Sequence, residues 1–208
     1  MKLTFVVIVG ILLLLPFCST YAEDRMPPLS NDRMTDAQRS AAAELASGPR
    51  GSVTGPFVPL LRSPEFMSRL QKAGEYLRFH SVLGPKLSEF VILITARQRT
   101  QQYEWFVHYP LAIKAGLKPE IALSIAEGRR PSGMAEDEEI VYDFCDEVFR
   151  TQGVSDSTYR RAVSKFGEQG IIDMLGVNGY YSLIAMVLNV ARTPLPGNTP
   201  APLAAFPH

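Results

Sequence analysis

Apolar residues recur at helical spacing through most of the chain between residues 35 and 192. Helix start signals accompany this pattern, including a Thr35 cap with Gln38 at the capping-box position and the pair Ser63-Pro64. Alternating strand patterns with hairpin turns are missing, so the predicted fold class is all-α, a bundle of about eight helices. The predicted helices cover roughly residues 35–48, 63–81, 85–94, 101–115, 119–128, 135–152, 155–167 and 169–191.

Two segments modify this helical picture. The run Leu183 to Leu188 in the last predicted helix is continuously apolar, which places that helix at the centre of the bundle. The segment from Gly48 to Pro59 is rich in glycine and proline and is predicted to be a loop.

The first 22 residues have the pattern of a secretory signal peptide. Lys2 precedes a mainly apolar run from Leu3 to Leu15, and Thr20-Tyr21-Ala22 places small residues at the −3 and −1 positions of a cleavage site. An uncleaved membrane anchor is disfavoured because the run is too short to span a bilayer and acidic residues follow it. Lipid attachment at Cys18 is disfavoured by the bulky Phe17 before it. We therefore expect an exported protein, periplasmic or secreted, without stable membrane insertion after cleavage.

The chain outside the signal peptide divides into three parts. Residues 23–34 are polar and contain prolines, so we expect a flexible arm, and residues 35–192 form the helical domain. Residues 193–208 contain five prolines and cannot continue a helix, which predicts an extended tail lying on the domain or on a neighbouring subunit.

Composition limits the classes of function. The 21 basic and 21 acidic residues balance, and removing residues 1–22 takes away only Lys2, for a net charge of −1. A general nucleic-acid binder needs an excess of basic residues, so no nucleic-acid partner is expected. A phosphate-binding loop, a dinucleotide-binding glycine motif and a zinc-binding HExxH motif are all missing from the sequence, and neither a metal nor a cofactor is predicted.

Candidate chemistry concentrates between residues 89 and 108. Glu104 and His108 are four residues apart and share a helix face, with Gln101 one turn earlier. A carboxylate beside an imidazole can fix its tautomer and raise its basicity, although the same spacing also suits a surface or packing role. Glu89 lies in a helix that is apolar on several sides, so it is expected to be buried as a structural hydrogen-bonding group or an acid/base.

The ordered motifs of the chain resemble the carboxymuconolactone decarboxylase and alkylhydroperoxidase D superfamily. The resemblance covers roughly residues 60–192 and rests on the segments 89–97 (EFVILITAR), 103–105 with His108, 115–117 (AGL), 154–156, 166–168, 179–181 and 188–189. It implies an all-α fold, assembly into homo-oligomers, commonly trimers or hexamers, and an active site near a subunit interface.

The chain departs from the peroxidase branch of that superfamily at two positions. Gln101 and Glu104 stand where that branch has its Cys-x-x-Cys pair, while Glu89 and His108 match its Glu and His. Neither Gln nor Glu can cycle between oxidation states, so peroxiredoxin activity of the family type is disfavoured. The resemblance to the decarboxylase branch implies proton transfer on a small carboxylated, lactone-like substrate.

These residues define a hypothetical active site. We expect His108 to transfer the proton, Glu104 to orient it and Glu89 to act as a second, buried acid/base. Substrate binding is assigned to Arg97, through a bidentate contact with a carboxylate, and to Gln101, Tyr103 and Trp105. Arg97 is equally suited to a structural ion pair with Glu89 or Glu104, and the two aromatic residues are suited to core or subunit packing.

The sequence leaves three hypotheses of function. The first is an exported, cofactor-free acid/base lyase acting on a small carboxylated molecule. The second is a ligand-binding or assembly protein without catalysis on the same scaffold. The third is thiol peroxidase activity through Cys145, which is disfavoured because apolar neighbours and nearby acids suit a buried, unreactive thiol.

Overall fold

A computed structural model describes residues 23–205 of the 208-residue chain. The described part contains eight α-helices and two short 3-10 turns and has no strand, which confirms the all-α prediction. The predicted signal peptide, residues 1–22, lies outside the described residues. The helices are α1 (Asp36–Ser47), α2 (Phe57–Leu60), α3 (Pro64–Phe79), α4 (Gly84–Gln98), α5 (Gln102–Lys114), α6 (Pro119–Ala126), α7 (Glu136–Thr151) and α8 (Asp156–Ala191).

Local capping explains where several helices begin. The Thr35 hydroxyl accepts a hydrogen bond from the Gln38 amide, and the Gln38 side chain accepts one from the Thr35 amide, so the predicted capping box is present. Ser155 caps α8 in a similar way through the Thr158 amide. The expected cap at Ser63 is different, because its side chain makes no capping bond and Pro64 alone marks the helix start.

Two local features differ from the helical pattern of the sequence. The segment predicted to be a loop contains α2, whose Phe57 and Leu60 are buried in the core. The seventh and eighth predicted helices run together as α8, with a break at Gly167, whose φ of 68° and ψ of 177° are not helical. Glycine reaches this conformation without steric cost, so the chain changes direction there.

The centre of the bundle is α4 together with α8. Every residue of α4 from Leu87 to Arg97 is buried, and the helix packs against α5, α7 and α8. The expected central position of the Leu183 to Leu188 run is correct for Ile184 and Leu188. Met186 and Val190, however, are 50% and 58% exposed, so one apolar face of α8 stays uncovered in the described chain.

Helix α8 is also the one helix among residues 23–205 that is long and apolar enough to cross a membrane. Of its most apolar window, 61% is buried inside the protein. The core helix of a bundle has the same length and composition, and the packing of α8 accounts for both.

Both ends of the described chain lie against the domain. The Arg25 amide donates to the Ala191 carbonyl at the end of α8, and an Arg62 guanidinium nitrogen donates to the Pro27 carbonyl. The C-terminal tail buries Leu203 in the core. The tail therefore lies on its own domain, whereas the flexibility of the N-terminal arm stays a prediction.

Candidate active site

A cavity of about 340 Å³ lies between α3, α5, α8 and the loop before α2. Glu104 and His108 of α5 form part of its wall, and the loop closes one side. Its remaining lining residues are Pro49, Arg50, Ser52, Thr54, Gly55, Pro56, Phe57, Arg78, Phe79, Tyr103, Val107, Tyr180, Tyr181 and Ile184. The volume falls within the range that holds small organic ligands.

His108 lies between two carboxylates that contact opposite ring nitrogens. Its Nδ1 donates to Glu89 Oε2 at 2.6 Å, and its Nε2 lies 3.3 Å from Glu104 Oε2. All three side chains are buried, as expected for Glu89 from its apolar neighbours. Glu89 does not line the cavity, whereas Glu104 and His108 do, so the three groups form a row that leads from the core to the cavity.

This arrangement changes the acid/base properties of the imidazole. Burial lowers the pKa of His108, but hydrogen bonds to Glu104 and Glu89 act in the opposite direction and raise the pKa above the ordinary histidine value. Because Nδ1 is held by Glu89, Nε2 is the ring nitrogen on the side of Glu104, which lines the cavity.

Two further side chains hold this row in place. Arg78 Nε lies 3.7 Å from Glu89 Oε1, so Glu89 contacts the imidazole with one oxygen and a cation with the other. The Tyr181 ring meets the His108 ring edge-on, with ring centroids 5.0 Å apart. The imidazole is thus fixed by contacts with its two nitrogens and with its ring.

Two basic residues of the cavity wall, Arg50 and Arg78, were not predicted from the sequence. Arg50 lies in the loop before α2, with its guanidinium over the Phe57 ring at 4.7 Å from the centroid. Arg78 lies in the last turn of α3, a helix to which no chemistry was assigned. Neither residue had a spacing signal linking it to His108, since long-range packing alone brings them to the cavity.

The four predicted substrate-binding residues occupy different places. Of these, only Tyr103 lines the cavity, where its ring packs against Gly55. Gln101 caps α5 by accepting from the Tyr103 and Glu104 amides and donates to Asn189 Oδ1 at 2.9 Å. Trp105 is buried and stacks with Tyr109.

Arg97 is directed away from the cavity that contains His108. Its Nη1 donates to the Ala204 carbonyl of the C-terminal tail at 2.7 Å, and the residue lines a separate, much smaller cavity of about 40 Å³. The basic residues that line the cavity of His108 are Arg50 and Arg78.

The described residues contain no clustered metal ligands and no exposed thiol. No group of three or more His, Cys, Asp or Glu side chains within residues 23–205 has an arrangement that could hold a metal ion. Cys145 is buried, and burial raises the pKa of its thiol to about 12. At neutral pH the thiol is therefore protonated and a poor nucleophile.

No protein-family model matches the chain, and no curated protein is significantly similar to it. The geometry of the cavity and the motifs of the sequence are therefore the features that bear on function.

Proposed function

We propose that the protein is a cofactor-free acid/base lyase that acts on a small carboxylated, lactone-like molecule. The observation that carries this proposal is the hydrogen-bonded row from Glu89 through His108 to Glu104, which opens on a cavity of small-molecule size. An imidazole fixed between two carboxylates is a proton donor and acceptor suited to a carbanion-like intermediate.

The positions of the two carboxylates favour roles opposite to those expected from the sequence. Glu89 is behind the imidazole and holds Nδ1, so it orients His108 and stabilises its protonated form. Glu104 faces the cavity beside Nε2 and shares the proton there. We therefore assign Glu104 and His108 to proton transfer and Glu89 to positioning.

The proposed reaction is a decarboxylation coupled to protonation. The bond between the substrate carbon and its carboxylate breaks, carbon dioxide leaves, and the electron pair stays on the carbon as an enolate-like charge. The proton on His108 Nε2 moves to that carbon, and a proton from solvent returns through Glu104 to the imidazole. The overall change is loss of carbon dioxide and gain of one proton.

The proposed assembly and location follow the family resemblance. The uncovered face of α8 is the surface that we propose for a second copy of this chain in a trimer or hexamer. Analytical ultracentrifugation tests this, because Met186→Glu should dissociate the oligomer while Leu123→Glu on α6 leaves it intact. Export is tested by sequencing the mature N-terminus, which should be Glu23.

The acid/base function is tested by turnover of small lactone carboxylates in deuterated water. The wild type should release carbon dioxide and place one deuteron on the product carbon. His108→Gln should lower kcat by a factor of about 100 or more, while His80→Gln, an exposed residue outside the cavity, should keep the wild-type rate.

A wild-type rate in His108→Gln would refute the assigned mechanism. Binding of carboxylates without turnover across a broad panel would favour the ligand-binding alternative. Peroxide consumption that is lost in Cys145→Ser would favour the thiol alternative, which the buried, protonated thiol disfavours.

A further inference from the structure

Two cations, Arg50 and Arg78, and the phenol of Tyr180 line the cavity beside the proton-transfer row. Arg50 and Tyr180 both line the cavity, and the Arg50 Nε and Nη2 atoms and the Tyr180 hydroxyl are buried with no hydrogen-bond partner within residues 23–205. Tyr180 as a whole is only 7% exposed. Buried donors of this kind are ordinarily paired, because an unpaired buried charge is costly.

The Tyr180 phenol is affected by both cations of the cavity wall. Burial raises the pKa of Tyr180, and the charges of Arg50 and Arg78 partly oppose that rise. Arg78 also pairs with Glu89, whereas Arg50 has no ion-pair partner within the described part of the chain. Arg50 is thus the cation that remains available to a ligand.

The donors are also connected to the catalytic row. Tyr180 packs edge-on against Tyr181 with centroids 5.2 Å apart, and Tyr181 packs edge-on against His108. A small molecule whose anionic group contacts Arg50 and Tyr180 can therefore present another carbon to His108 in the same cavity.

We propose that Arg50, assisted by Tyr180 and Arg78, forms the subsite for a substrate carboxylate that is retained in the reaction. This inference rests on the proposed function and adds a second anionic group to the substrate. A cation that binds a carboxylate tightly stabilises it against loss as carbon dioxide, so the group held at Arg50 is not the one that leaves. The group bound at Arg50 is better suited as a singly charged carboxylate than as a doubly charged group such as phosphate. The reason is that the Glu104 carboxylate lines the same cavity and would repel the additional charge.

Binding of benzoate and of its neutral isostere benzamide, followed by NMR titration of the full protein, tests the subsite. The wild type should bind benzoate about tenfold more tightly than benzamide or better, as expected for charge-assisted hydrogen bonds. Arg50→Met should remove this preference and leave benzamide binding unchanged, while Arg50→Lys should keep part of it. Arg129→Met, an exposed arginine outside the cavity, is the matched control and should behave as wild type.

The proposal of a carboxylate subsite would be overturned if the wild type bound benzoate and benzamide equally or bound neither of them. It would also be overturned if a folded Arg50→Met variant kept the preference for benzoate, or if the wild type bound inorganic phosphate more tightly than benzoate. Thermal unfolding of each variant verifies its fold.

The His108→Gln variant separates this inference from the proposed function. It should keep the preference for benzoate while losing turnover. If the preference is present but turnover survives in His108→Gln, the mechanism is wrong and the subsite stands. If turnover depends on His108 but the preference is absent, the subsite is wrong and the function stands.

Discussion

Glu89 Oε2 lies 2.6 Å from His108 Nδ1, although the two residues are 19 positions apart on different helices. This contact joins α4 to α5 inside the core and determines which nitrogen of His108 faces the cavity. The i,i+4 neighbour Glu104 makes the longer contact, at 3.3 Å to Nε2. The Glu104–His108 pair, which the sequence spacing predicts, therefore has the longer of the two carboxylate–imidazole distances.

Removing the charge of Glu89 should lower the pKa of His108. The Glu89 carboxylate stabilises the protonated imidazole through Nδ1, and the neutral amide in Glu89→Gln gives no such charge interaction. NMR titration of the His108 ring protons measures the change. Glu127→Gln, which alters an exposed carboxylate paired with Arg129, is the control and should leave the His108 pKa in place. An equal pKa in wild type and Glu89→Gln would contradict the positioning role.

The raised pKa of His108 should make stability depend on pH. Because the folded protein holds this proton more tightly than the unfolded chain, whose histidine pKa is about 6.5, the contribution is complete below that pH. It is lost as pH rises through the folded-state pKa, by about 1.4 kcal/mol for each pKa unit of elevation. Urea unfolding of wild type and His108→Gln from pH 6 upwards measures it as a difference between their free energies of unfolding. A difference that does not fall with pH would refute this linkage.

The loop that closes the cavity should be sensitive to one glycine in particular. Gly55 has a φ of 53°, and a Cβ built there lies 2.7 Å from Tyr103 Cε1. Gly51 in the same loop has a φ of 73° but nothing within 4 Å of its Cβ. Gly51→Ala should therefore cost only the backbone strain, about 1 kcal/mol, and Gly55→Ala should cost more and weaken benzoate binding. Equal free energies of unfolding in the two variants would exclude a role for the Tyr103 contact.

The C-terminal tail should contribute to stability through specific contacts. The Gln102 side chain donates to the Leu203 carbonyl at 2.9 Å and accepts from the Leu203 amide at 2.8 Å, and the Leu203 side chain is 3% exposed. Leu203→Ala should lower the free energy of unfolding by about 2 kcal/mol and expose the tail to proteases. Ala205→Ser, at an exposed position of the same tail, should have little effect. Wild-type stability and protease resistance in Leu203→Ala would show that the tail does not depend on this contact.

Helical periodicity and helix start signals determined the fold class. Local effects between neighbouring residues can be predicted from sequence. They account for the capping box at Thr35, the break at Gly167 and most of the helix positions. The short helix α2 escaped prediction because its proline-rich segment is helical only where packing buries Phe57 and Leu60. Helix α8 is central as predicted, but the exposure of one of its faces depends on which other helices pack against it.

The sequence by itself determined an all-helical chain and a Glu–His pair that shares one face of α5, because both follow from contacts within a few residues. The tertiary structure decided which groups share a cavity. It brought Glu89 to the second nitrogen of His108, placed Arg50 and Arg78 in the cavity wall, and directed Arg97 to the tail. These contacts join residues far apart in the chain, and they depend on how the helices pack, which no local spacing encodes.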